Sequence, residues 1–159
     1  MKSTHLLGAA ILGLSFAIPA QSVEVEPAMS EKHANAYTEY RQSVFTLLKS
    51  NIGPLGAMAK GKMEYDTDLM QTNAMRMEQL AGMLSDYLRV DTSNYDLDSD
   101  AKASIWQNFD DVQSKITDLK QAAANLQNVA QSGDESKFRQ AIGNVGSTCK
   151  SCHDDYKKD

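Results

Sequence analysis

Apolar side chains recur every three or four positions along most of this chain, the period of helices that each bury one face. Four stretches carry the pattern. The first runs from about Ser30, which suits an N-cap, to Met58. Its broad apolar stripe is Tyr37, Tyr40, Val44, Leu47, Leu48, Ile52 and Leu55, and Gly53-Pro54 predicts a kink or interruption near its end. The second runs from about Asp66 to Arg89, with Leu69, Asn73, Met77, Leu80, Leu84 and Tyr87 near one stripe. Its methionines read as flexible core filler.

The third stretch, from about Asp100 to Gln131, is the most regular. Ile105, Phe109, Val112, Ile116, Leu119, Ala123 and Leu126 step by four and three, the seam of a helix packed in a bundle. Trp106 flanks it. The fourth, from about Glu135 to Lys157, places Phe138, Ile142, Val145, Cys149, Cys152 and Tyr156 on one face. Ser132-Gly133-Asp134 is a stop followed by a cap, and Val90 to Ser99 is a linker rich in turn-forming Asp, Ser and Asn. No run alternates as a strand does. The expected fold is all-α, an antiparallel up-down four-helix bundle in one domain over residues 23–159.

Residues 1–22 read differently. Lys2 precedes an uncharged apolar run from Leu6 to Ala20, and the small residues Ala20 and Ser22 suit cleavage after about position 20–22. The run falls short of the ~20 residues of a comfortable membrane span. It reads as a secretory signal peptide, which predicts export to the periplasm. With 16 basic and 21 acidic residues the formal charge is −5, and losing Lys2 with the leader makes it one unit more negative. That balance speaks against nucleic acid or a membrane surface as partner, and it suits a basic redox partner.

The chemistry lies in Cys149-Lys150-Ser151-Cys152-His153, a C-x-x-C-H sequence. Two thiols at this spacing can add across the vinyl groups of one haem, and the adjacent imidazole can bind its iron. On a helix at about 100° per residue the two cysteines share a face and His153 lies about 40° from Cys149. A disulfide, a redox dithiol and half a zinc site compete with this reading. A redox dithiol should open a helix after a strand, and no strand pattern precedes Cys149. Structural zinc usually takes four ligands; the chain has no further Cys, and beyond the leader only His33 remains. The expectation is therefore one covalently attached haem c per chain, with thioethers at Cys149 and Cys152 and His153 as axial ligand. Because the motif continues the core face of the fourth helix, the porphyrin should enter the bundle. Export agrees, since haem c is attached outside the bacterial cytoplasmic membrane.

Three segments together resemble the cytochrome c prime family: Tyr40-Arg41-Gln42-Ser43, the Gly53-Pro54-Leu55 to Lys60-Gly61 region, and Gly146-Ser147-Thr148-Cys149-Lys150-Ser151-Cys152-His153-Asp154-Asp155-Tyr156. The resemblance implies five-coordinate, high-spin iron whose far side is covered by an apolar residue of the first helix, here Phe45. That residue is equally read as a core aromatic. It also implies haem-pocket roles for Arg41 (toward a propionate, or else in a surface salt bridge), Gln42 and Lys157, the last one turn after His153. Trp106 suits packing on the haem or in the core. A homodimer through the first two helices, binding of small gases such as nitric oxide and carbon monoxide, an accompanying electron-transfer role and the absence of enzymatic activity are further implications. A distal Phe offers no acid–base group of the kind a peroxidase needs. The alternative is a low-spin electron-transfer cytochrome of the same fold with a distal Met. Tyr37 to Ile52, however, contains no Met or His; Met29 and His33 lie too early, and Met58 and Met63 lie past the Gly-Pro pair.

Overall fold

Local chemistry starts the first helix where the pattern predicts. In the computed structural model, which describes residues 23–158, Ser30 Oγ accepts the amide of His33 at 3.2 Å and helix α1 runs from Glu31 to Ala59. The signal peptide read over residues 1–22 lies outside the described residues. Pro54 does not interrupt α1. It cannot donate to the carbonyl one turn back, but the adjoining turn is braced from outside, because Asn73 Nδ2 donates to Asn51 O at 3.1 Å. Helix α2 (Thr67–Leu88) is capped by Asp66, whose carboxylate accepts the Leu69 amide at 2.9 Å.

The third predicted helix is corrected at its start. Residues 100–102 are not helical, because the end of the last helix occupies their backbone. Lys102 N donates to Tyr156 O at 3.0 Å and Lys158 N to Asp100 O at 2.7 Å, an antiparallel bridge of Ala101 with Lys157. One turn, α3 (Ser104–Gln107), follows, and after Asn108 the long α4 (Phe109–Ser132) begins. Gly133 ends α4 at φ 69°, in the left-handed region. Helix α5 spans Glu135–Tyr156. Asp134 precedes it, yet its carboxylate takes the Ser136 hydroxyl and the Lys137 ammonium and caps no backbone amide.

The helices form a ring. Helix α2 packs on α1 and most extensively on α4, α4 packs on α5, and α5 returns to α1. This is the expected up-down four-helix bundle, with α3 as an added turn in the crossover. The seven seam positions of α3 and α4, from Ile105 to Leu126, are all buried. The stripe on α1 divides: Val44, Leu48 and Leu55 are buried, while Tyr40 and Leu47 stand 48% and 51% exposed. On α2, Met70 and Met77 fill the core as read, whereas Met75 and Met83 stand exposed; Met58 of α1 is buried too. Among the described residues no helix is long and apolar enough to cross a membrane.

One element was not foreseen. Glu26–Pro27 (β1) and Val90–Asp91 (β2) pair in parallel, with Glu26 N on Arg89 O at 3.0 Å and Ala28 N on Asp91 O at 2.8 Å. A Glu26–Arg89 ion pair at 3.1 Å reinforces them. Two residues per strand are too few to show alternation, so the pattern was silent here.

Candidate functional site

The C-x-x-C-H segment sits in the last two turns of α5. Cys149 and Cys152 are free thiols, half-buried and packed against the core, one turn apart on the face that carries Val145 and Tyr156. Burial pushes both thiols above their ordinary range; at Cys152 the nearby Lys115 ammonium works against that rise. His153 is exposed, and its carbonyl accepts the Lys157 amide at 3.1 Å.

Helix α4 grips this segment. Lys115 Nζ donates to Ser151 Oγ at 2.9 Å and pairs with Asp155 at 2.9 Å and Asp111 at 3.7 Å. The hydrogen bond to Asp155 raises the Lys115 pKa and lowers that of Asp155. Tyr156 Oη donates to Asp111 Oδ2 at 2.6 Å; burial, then this bond, pushes its phenol well up. The sequence reading missed Lys115 and Asp111. Their i, i+4 spacing suggests only a surface ion pair, and partners some forty positions away leave no local signal.

Arg41 is 3% exposed, so the surface salt bridge is excluded. Its Nη2 donates to Thr38 Oγ1 at 2.9 Å and Thr92 Oγ1 at 3.0 Å, and its Nη1 to Val90 O at 3.4 Å and Tyr87 O at 3.5 Å. The guanidinium lies 5.7 Å from the centroid of the Trp106 ring. No carboxylate pairs with it among the described residues. Burial lowers its pKa to about 10, with Asp91 opposing from a distance, so it stays charged at neutral pH. Trp106 is half-buried against the core, and its Nε1 donates to Leu88 O at 2.9 Å.

Gln42 and Lys157 meet the same loop. Gln42 Nε2 donates to Asp98 O at 2.9 Å, Lys157 Nζ pairs with Asp100 at 3.0 Å, and Lys158 Nζ donates to Ser99 O at 2.9 Å. Residues 98–100 thus tie α1 to the end of α5. Phe45 lies one turn beyond Gln42, and His153 one turn before Lys157. Phe45 is 38% exposed and stands outside the core cluster, which corrects its reading as a core aromatic.

The donor set fits a haem. Two thiols one turn apart can take two vinyl groups, an imidazole follows them directly, and a large apolar ring stands uncovered on the facing helix. A buried cation lacking an internal carboxylate is the complement of an anionic propionate.

Comparison with known proteins agrees with this chemistry. A family profile described as Cytochrome C' matches residues 36–157. Over 146 residues the chain is 36% identical to cytochrome c' of Cereibacter sphaeroides, covering 91% of this chain and 93% of that one. Cytochrome c prime from Shewanella frigidimarina superposes with a TM-score of 0.72 at 37% identity, over 79% of this chain and 97% of that one. A ferrous variant of cytochrome c prime from Alcaligenes xylosoxidans, with bound NO, superposes at 0.70 with 30% identity, over 79% and 96%.

Arg41→Met should strand the acceptors around Tyr87 and Val90, at about 1–3 kcal/mol for each one left buried. Urea unfolding followed by circular dichroism reads this out, and Arg41→Lys should recover little because an ammonium lacks the planar fork. Unchanged stability of Arg41→Met would show that these bonds hold nothing together.

Proposed function

The chain belongs to the cytochrome c prime family, whose members carry covalently attached haem c, and we propose that it is an exported haem protein that binds small neutral gases, nitric oxide and carbon monoxide, on five-coordinate iron. When bound, the haem supplies one open coordination position for a diatomic ligand. Cys149 and Cys152 would hold the porphyrin as thioethers, and His153 would bind its iron. The buried Arg41 faces a propionate, and Gln42 and Lys157 secure the pocket's rim through the 98–100 loop.

The observation that carries this reading is Phe45. A phenyl ring 38% exposed, excluded from a core that buries its neighbours Val44 and Leu48, is a surface awaiting a flat apolar cover. Pressed against a porphyrin, it excludes water and offers no hydrogen bond to an anion. A small uncharged gas gains entry when the ring moves aside. The relative with bound NO supports this ligand class. Residues 1–22 act as leader to the periplasm, where a soluble redox partner can exchange electrons with the iron. Phe45 itself brings no acid–base group of the kind turnover needs, which supports binding as the role.

The outer face of α1 and α2 supports a homodimer. Tyr40 and Leu47 on α1 and Met83 on α2 stay exposed, and Tyr40 lies 5.5 Å from the Tyr87 ring, one turn beyond Met83. A two-fold contact buries such a face against itself.

Mass, ligand-binding, spectral and sedimentation measurements test these statements. Intact mass after acid–acetone extraction should retain one haem per chain, and complete loss of haem would remove the attachment reading. Phe45→Ala should speed carbon monoxide binding by about tenfold or admit water to the iron. Its stability cost should stay below the about 3–5 kcal/mol of a fully buried Phe. A low-spin spectrum of the unaltered protein with a methionine–iron charge-transfer band would instead make it an electron carrier. Sedimentation at micromolar concentration should give a dimer that Leu47→Glu dissociates; a monomer would refute the interface and leave the haem site standing.

A further inference from the structure

The side chains that fasten α5 to α4 form a closed circuit. Lys115 reaches Ser151 and Asp155, lies 3.7 Å from Asp111, and sits 6.0 Å from the centroid of the Tyr156 ring, while Tyr156 returns to Asp111. Helix α4 contributes two positions one turn apart, and α5 contributes three. Those three bracket His153, two residues before it, two after and three after. Ser151 and Asp155 share a face, and at about 100° per residue His153 lies on the far side of the helix from it.

Isolated surface ion pairs hold little. This one differs in connectivity: the Lys115 side chain is 15% exposed and Tyr156 8%, and although Asp111 and Asp155 are 54% and 57% exposed, Lys115, Asp111 and Tyr156 each answer to more than one partner. A helix held through Ser151 and Asp155 on one side and through Tyr156 on the adjoining core face is fixed both in rotation about its axis and in its seating along it. Shifts of about 0.5 Å or 10–20° are enough to spoil the geometry of a ligating group.

We propose that Lys115 and Asp111 are positioning residues that set the azimuth of α5 and thereby the direction from which the His153 imidazole meets the iron. This rests on the reading of His153 as axial ligand. His153 has no side-chain hydrogen-bond partner of its own among the described residues, so its orientation is inherited from the helix that bears it. In many metal sites a partner on the other ring nitrogen orients the imidazole. Here the contacts of Ser151, Asp155 and Tyr156 with α4 take that part. Strain in the iron–histidine bond, and the balance between the two iron oxidation states, are then tuned from α4 by residues that never touch the haem.

The test uses the purified holoprotein and the variants Lys115→Met, Lys115→Arg and Tyr156→Phe. Resonance Raman of the ferrous form reads the iron–histidine stretch, and a redox titration reads the midpoint potential. The stretch should move or broaden in Lys115→Met and Tyr156→Phe and return in Lys115→Arg, which keeps the cation and its partners. In Lys115→Met the relative stability of the two oxidation states should change about tenfold, or about 59 mV for one electron. Tyr156→Phe keeps every charge and removes one hydroxyl, so it remains informative if the lysine variant fails to fold. A stretch unmoved in both folded variants overturns the clamp. A potential that shifts in Lys115→Met alone, with the stretch fixed throughout, makes Lys115 merely a nearby charge and overturns it equally. Absence of an iron–histidine stretch from the unaltered protein overturns the axial role of His153, and the clamp with it; a stretch present but unmoved overturns the clamp alone.

Discussion

The Arg41 guanidinium, driven into the protein without a carboxylate to meet it, organises the end of the bundle where the site lies. It leaves α1 and binds the last turn of α2 through Tyr87 O, the strand residue Val90, and the Thr92 hydroxyl, with Thr38 of its own helix beside it. Trp106, over which the cation lies, fastens α3 to the same place through Leu88 O. The crossover from α2 to α4 is thereby shaped around one side chain. The β1 segment closes over the result, pairing with Val90–Asp91, and the Tyr95 hydroxyl donates to Ala28 O at 3.3 Å. Desolvating a cation costs several kcal/mol unless its donors are satisfied, and these polar acceptors supply that satisfaction.

From this anchored crossover the chain goes on to serve both walls of the site. Residues 98–102 accept Gln42 from α1 and join the backbone at the end of α5, so the helix bearing Phe45 and the helix bearing His153 share one tether. The rest of α5 is held from α4. The two helices that the proposed reading sets on either side of a cofactor touch each other directly and are also held by these third parties.

What the sequence disclosed follows the range of the interaction. The α4 seam was fully legible, because burial there depends only on helical period and apolar side chains. Ser30 and Gly133 were legible because a cap and a stop act within one turn. The C-x-x-C-H segment was legible because its chemistry is local. Arg41 was singled out, but its burial was not foreseen: arginine is ordinarily at the surface, and the Tyr87, Val90 and Thr92 groups that admit it lie 46 to 51 positions away. Tyr40 and Leu47 were assigned inward because apolar content alone does not say which side of a helix the bundle covers. The early start given to the third helix failed for a tertiary reason, since the backbone of residues 100–102 is taken by the end of α5.

Two cations have gone inward in an acidic chain, and they are resolved in opposite ways. Lys115 is met by two carboxylates and a hydroxyl, and its ammonium is held more firmly protonated by them. Arg41 has only neutral acceptors, and its pKa is lowered by burial. The first arrangement is electrostatically complete without any ligand. The second carries a net charge that the protein itself does not neutralise. On the proposed reading a propionate completes it, and filling the site recovers part of the cost of burying Arg41. A group that binds the folded chain better than the unfolded one stabilises the fold by its binding energy. Covalent attachment keeps that group at a high local concentration. On that reading the fold holds an uncompensated cation at the head of its crossover because the thioethers would keep the compensating anion within reach.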